Sequence, residues 1–171
     1  MLWYLLAAGL LSGFGLAVFI GAPYVPILRR DYGPLLDLVE LKPGQTLIDL
    51  GSGDGRLLRE VAKRGVHAIG YEINPVLYLI SLVVCWQYRQ FVSIRLGDYW
   101  HIKLPPAHII YVFLLDKYMA RLDRKLLNEL SQPAQLVSFV FQIPGRIPIR
   151  SSRNAFVYDY PGTTPALRKD H

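Results

Sequence analysis

The sequence predicts an α/β fold: a doubly wound parallel sheet preceded by one apolar N-terminal helix. Three observations carry that expectation. Between residues 46 and 160, short apolar runs alternate with helical patterns, as strands joined by crossover helices do. The first run breaks into a glycine-rich turn, Gly51-Ser52-Gly53-Asp54-Gly55, after which a helical pattern begins. Residues 1–28 carry no Asp, Glu, Lys or Arg. The 171 residues divide into an apolar segment (1–22), a linker with a short helix (23–45) and one domain (46–171).

Residues 2–20 are apolar on every face of a helix, and roughly 20 such residues cross a bilayer core. A single-pass membrane anchor over residues 1–22 is therefore expected, with the bilayer as a partner. A cleaved signal peptide is the rival reading. It needs a basic start and a small-residue cleavage site. No Lys or Arg precedes this run, and the best cut, after Ala22, has Ile20 two positions before it. Arg29, Arg30 and Lys42 follow the segment, so the positive-inside rule places the domain in the cytoplasm, or in the matrix if the membrane is the mitochondrial inner one. Pro23, Pro26, Gly33 and Pro34 mark the linker. Pro34 is expected to start a helix ending at Leu41, and Lys42-Pro43-Gly44-Gln45 to turn the chain into the first strand.

That strand, residues 46–50, contains Asp49 and runs into the turn. Glycine at positions 51, 53 and 55 brings bare backbone N–H groups close to a ligand, with no Cβ in the way. The spacing is not the G-x-G-x-x-G of dinucleotide folds, and no phosphate-loop Gly-Lys-Ser/Thr follows. An acid-led D-x-G-x-G-x-G turn is the pattern of S-adenosylmethionine (SAM) binding, with Asp49, Gly51, Ser52, Gly53 and Gly55 as candidate contacts. A second strand, residues 68–71, ends at Glu72, where an acid can take both ribose hydroxyls of a nucleoside. Asn74-Pro75 then reads as N-cap and first helical residue. A third strand, 92–96, leads to Asp98, a candidate acceptor for the adenine amine, with Tyr99 or Trp100 placed to stack on the ring. A plain turn-forming role is the alternative for Asp98.

The remaining elements follow in order. Helices are expected over 56–64 and 75–88, a buried strand over 108–114, an amphipathic helix over 117–130, and strands over 135–141 and 155–160. The proline-rich stretch 143–153 is too short for a helix plus a strand pair, so the C-terminal part of the sheet is abbreviated. The run from Val76 to Trp86 is apolar apart from Ser81, yet too short to span a membrane. It is expected either to be fully buried or to rest its outer face on the bilayer or the anchor.

Composition narrows the function classes. The formal charge of +6 suits anionic surfaces, but no basic run interleaved with aromatics marks specific nucleic-acid binding. The single cysteine, Cys85, excludes a disulfide framework. The four histidines lie at 67, 101, 108 and 171, without ligand spacing, so no metal site is expected.

Over residues 23–148 the chain resembles the small membrane-anchored class I methyltransferases that modify lysines of the ATP synthase c subunit and the adenine nucleotide translocase. The likeness rests on Pro23-Tyr24-Val25-Pro26, on the turn from Asp49 to Arg56, and on Gly70-Tyr71-Glu72-Ile73-Asn74-Pro75. It continues in Asp98-Tyr99-Trp100, Val112-Phe113-Leu114-Leu115, Leu126-Leu127-Asn128-Glu129-Leu130 and Phe141-Gln142-Ile143-Pro144. It implies a Rossmann-like class I methyltransferase sheet, SAM as cofactor, and N-methylation of lysine in a membrane protein. Such a reaction needs a neutral amine aligned with the methyl carbon, so positioning and an apolar slot do most of the work. Phe113 and Leu114 are then expected to wall that slot and Asp116 to orient the amine. A helix-capping role for Asp116 is the alternative. Two other functions stay open at this point: methylation of a lipid or other small membrane molecule, and a SAM-fold membrane protein without catalysis.

Overall fold

The computed structural model describes residues 29–162, and its centre is β1 (Thr46–Leu50). The other strands are β2 (His67–Glu72), β3 (Val92–Leu96), β4 (Ile109–Val112), β5 (Ala134–Phe139), β6 (Arg150–Ser151) and β7 (Ala155–Tyr160). They form one seven-stranded sheet in the order β3-β2-β1-β4-β5-β7-β6. β1 to β5 pair in parallel, β7 runs antiparallel beside β5, and β6 is antiparallel to β7. The strand order reverses between β1 and β4, and ligands of open α/β sheets bind outside the carboxyl ends of the strands at such a switch.

The helices are α1 (Arg29–Leu38), α2 (Arg56–Ala62), α3 (Pro75–Val84) and α4 (Asp116–Glu129). Leu35 and Leu36 of α1, Leu57 and Val61 of α2, and Cys85 just beyond α3 pack with Leu47, Ala68, Ile109 and Val137 on one sheet face. On the other face α4 buries Met119, Leu122 and Leu126 against Ile48, Ile110, Val112 and Leu136. Alternation along β1 and β4 sends successive side chains to these two cores, as a sheet covered on both faces requires.

Several expected boundaries move. α1 begins five residues before Pro34 and ends at Leu38, not Leu41. It runs through Pro34 although proline supplies no N–H, because Tyr32, Leu35, Leu36 and Val39 form a buried stripe at helical spacing. The helix from Pro75 stops at Val84, and the chain tightens into a 3₁₀ turn, Trp86–Tyr88. Cys85 is pinned there, its thiol donating to the Gly55 carbonyl at 3.3 Å. β4 is shorter than the apolar run suggested, and α4 starts one residue early, at Asp116. The C-terminal part of the sheet keeps all its strands and loses length instead. β6 has only two residues, and no helix connects it to β5 among the described residues.

Among the described residues no helix is long and apolar enough to cross a membrane, and the anchor expected at residues 1–22 lies outside them. The outer face of α3 is not buried: Leu79, Ile80, Leu82 and Val83 are exposed.

Candidate active site

The glycine turn sits at the carboxyl end of β1 and is held from β2. The N–H groups of Gly51 and Ser52 both donate to the Tyr71 carbonyl at 2.9 Å. Gly51, Gly53 and Gly55 have φ of 98°, 56° and 79°, the left-handed region that glycine enters at least cost. A Cβ at Gly51 would meet nothing within 4 Å, so the turn faces open space there. At Gly55 a Cβ would lie 2.9 Å from Cβ of Ser81 and 3.1 Å from Sγ of Cys85, so this glycine also lets α3 close onto the turn.

Glu72, the last residue of β2, is the clasp of the site. One carboxylate oxygen accepts the Gly53 N–H at 2.7 Å and the other accepts the Asn74 N–H at 2.8 Å. Asn74 caps α3 as expected, its side chain accepting from Val76 and Leu77 N–H at 2.9 and 3.3 Å, with Pro75 in the first turn. Each Glu72 oxygen keeps a second lone pair for a hydroxyl.

Asp49 points to the α1–α2 face and is 3% exposed. Burial, and then the Glu72 charge, push its carboxyl up to about 8. Its register partner on β4 is Tyr111. The Tyr111 hydroxyl and the Ser52 hydroxyl are buried with no hydrogen-bond partner among the described residues. The N–H groups of Gly51, Ser52, Gly53 and Gly55 are all engaged within the protein, so the turn does not present the bare donors its sequence suggested. What remains is a buried carboxyl with no counter-charge among the described residues, beside two unpaired hydroxyls, which suits the ammonium and carboxylate of an amino-acid-bearing cofactor. The residues therefore fit SAM: Asp49, Ser52 and Tyr111 would hold its amino-acid end and Glu72 its ribose. Sequence reading missed Tyr111, hidden in an apolar strand. Its signal was a lone hydroxyl three residues from the end of the apolar run.

Asp98 and Tyr99 follow β3 at the same edge. Asp98 caps a 3₁₀ turn, Tyr99–His101, accepting from the Trp100 N–H at 2.9 Å, and its second oxygen lies 2.9 Å from Nδ1 of His101. That imidazole is 77% exposed, so a ligand amine can displace it without unpacking the core. The turn role and the adenine role are compatible, one on each oxygen. The rings of Tyr99 and Trp100 lie 4.9 Å apart, tilted by 41°, and Arg121 lies 4.2 Å over the Trp100 ring. Burial and the neighbouring Asp98 raise the Tyr99 phenol, which stays neutral.

At the ends of β4 and β5, Phe113 and Phe139 meet edge to face at 5.4 Å, both half-buried. Leu114 turns to the other face and is buried in the α4 core. Asp116 is the first residue of α4 and is exposed; Leu115, not Asp116, is the N-cap. Val140, directly after β5, has φ of 73°, a costly conformation for a β-branched residue. Its N–H donates to the Asn154 carbonyl at 2.8 Å, and the Ser138 hydroxyl donates to the Phe141 carbonyl. This strained corner leaves Val140 43% exposed beside the aromatic pair.

The strand order with its antiparallel β7, the glycine turn after β1 and the acid closing β2 define a class I SAM-dependent methyltransferase. Within that class the chain belongs to the family of the ANTKMT methyltransferase domain, whose family model matches residues 49–150. It is similar to the lysine N-methyltransferase of the ATP synthase c subunit from Xenopus laevis, 28% identical over 85% of this chain and 71% of the relative. It is also similar to the adenine nucleotide translocase lysine N-methyltransferase of Mus musculus, 32% identical over 85% of this chain and 66% of the relative. A protein-lysine N-methyltransferase of Saccharolobus islandicus is 28% identical over 72% of this chain and 79% of the relative. Among solved structures, an RNA methyltransferase of Salinibacter ruber bound to S-adenosyl-L-homocysteine superposes with a TM-score of 0.72. It is 27% identical and covers 82% of this chain and 97% of that one.

Proposed function

We propose that this chain N-methylates a lysine of a membrane protein while anchored in the same membrane through residues 1–22. The observation that carries the reading is its family: relatives named for lysine N-methylation of the ATP synthase c subunit and the adenine nucleotide translocase align along 85% of the chain. The geometry agrees. SAM supplies an electrophilic methyl group. The protein's part is a dry approach to it, and the Phe113–Phe139 pair beside Val140 is suited to strip water from a lysine stem and favour the neutral amine. Leu114, expected in this wall, is buried in the α4 core on the other sheet face and leaves the wall to the aromatic pair, while Asp116, exposed at the start of α4, orients the incoming amine. Asp49, Gly51, Ser52, Gly53, Gly55, Glu72, Asp98 and Tyr99 hold the cofactor. The basic residues after the anchor orient the domain toward the cytoplasm, or toward the matrix in a mitochondrial inner membrane.

The test is incubation of the full chain with methyl-labelled SAM and native membranes containing RNA, followed by separation of protein, lipid and RNA. Label recovered as methyl-lysine in a membrane protein is the expected result. Label in lipid or RNA without methyl-lysine, or no transfer at all, refutes the assignment.

A further inference from the structure

Every exposed side chain of α3 is apolar. Pro75, Leu79, Ile80, Leu82 and Val83 face outward, whereas Ser81 is fully buried and Tyr78 is half-buried. A helix lying on a small sheet normally turns its polar side to water; this one does the reverse. Val83 is 77% exposed and Leu79 61%. The strip continues through Trp86, 65% exposed, and Ile73 just before the helix and Leu96 of the edge strand β3 are exposed as well. A contiguous apolar patch of this kind on a small domain marks an interaction surface.

We infer that this face of α3 lies in the interfacial layer of the bilayer that holds the anchor, an inference that rests on the membrane placement proposed above. Two features favour lipid over a second copy or another protein. The strip ends in an aromatic–cation pair, Arg89 stacked 5.0 Å over Trp86, the arrangement that seats an indole at headgroup level with a cation beside it. The chain itself also brings the membrane near. Residues 21–28 separate the apolar run from α1 and reach at most about 28 Å when extended. The domain is thus confined to a shell around the bilayer, where even a weak apolar face is occupied. α3 is capped by Asn74, whose N–H is held by Glu72, so seating the helix fixes the cofactor-binding edge of the sheet relative to the membrane. An enzyme held this way reaches lysines close to the headgroups.

The full chain is reconstituted into vesicles containing anionic lipid, with nitroxide labels at Leu79→Cys or Val83→Cys. Cys85 is 3% exposed, and the wild-type chain treated with label gives the blank. Flotation after carbonate treatment reads the anchor. Labels more accessible to oxygen than to a water-soluble nickel reagent are expected, and Leu79→Asp combined with Val83→Asp should lower methyl transfer to native membranes at least fivefold while SAM binding is unchanged. Labels open to the nickel reagent in floating protein overturn the contact and leave the anchor standing. Labels protected from both reagents show a protein cover and also overturn it. Failure to float removes the anchor and the contact together.

Discussion

With Asp49 holding the ammonium of SAM, as proposed, its buried carboxyl should make cofactor binding a proton-linked event. Without ligand, burial and the nearby Glu72 charge hold the group's pKa at about 8. Below that pH it is protonated and neutral, and to hold an ammonium it must ionise. SAM binding at pH 6 therefore releases a proton. The ionised fraction of Asp49 is about 1% at pH 6 and about one half at pH 8. The ligand's α-amine, with an ordinary pKa of about 7.7–8.0, is almost fully charged at pH 6 and between about a third and a half charged at pH 8. Affinity should therefore fall about 20-fold from pH 8 to pH 6, or about 1.8 kcal/mol at about 1.36 kcal/mol per pH unit. Affinity peaks near pH 8, where loss of the ligand's ammonium already offsets further ionisation of Asp49, and falls above it. Calorimetry in buffers of different ionisation enthalpy, from pH 6 to 9, measures both the affinity and the protons released. The variant Asp49→Asn should bind weakly at every pH and lose the acidic limb. The same group has an opposite effect on the ligand-free fold. Its raised pKa means that stability falls as pH rises from about 4, the unfolded value, through 8. Asp49→Asn should then melt higher than wild type at pH 8.5 without ligand. A flat affinity from pH 6 to 8 in the wild type, or an acidic limb that survives in Asp49→Asn, would refute the reasoning.

Four further outcomes are expected. Glu72→Ala should weaken SAM binding by about 2–4 kcal/mol by calorimetry, since it removes a charged acceptor and frees the Gly53 and Asn74 N–H groups together. Gly55→Ala should destabilise the domain by about 2 kcal/mol in urea unfolding, because the new methyl combines a left-handed φ with a 2.9 Å approach to Ser81. Lys125, 5% exposed at its side chain, donates to the Ile102 carbonyl and to Glu129; Glu129→Ala, which strands that ammonium, should cost about 3 kcal/mol, and Lys125→Met much less. Phe113→Ala should lower methyl transfer at least tenfold while leaving SAM affinity within twofold, and equal losses in both would remove it from the methyl-transfer wall.

Local features of the sequence carried the cofactor side. The glycine turn, Glu72 at the end of β2 and the Asn74–Pro75 cap are each set by backbone chemistry over a few residues, and each stands where the residues imply. What pairs at a distance was not readable. The antiparallel placement of β7 depends on β5 lying next to it, and the two-residue β6 has no pattern of its own. The Phe113–Phe139 contact joins two strands 26 residues apart in sequence, and only the register of β4 and β5 brings them together. Pro34 misled the reading of α1 because a buried stripe outweighed one missing hydrogen bond. For α3 the apolar run was plain, but only the packing shows which of its residues face outward.

The two-handed grip of Glu72 restricts which sequences can occupy this fold. A glutamine has the same length, but its amide offers one acceptor and one donor. Either the Gly53 N–H or the Asn74 N–H would then face an NH₂ group. Aspartate is one methylene shorter and reaches less far toward the Gly53 amide across the turn. Glutamate at position 72 therefore supports the turn and the α3 cap together, and that holds before any ligand is considered. A homologue or design that keeps the glycine turn but changes this residue has lost the turn's support as well as a ligand contact. The length and charge of one carboxylate thus tie the glycine turn to the start of α3 in a way the glycines alone do not.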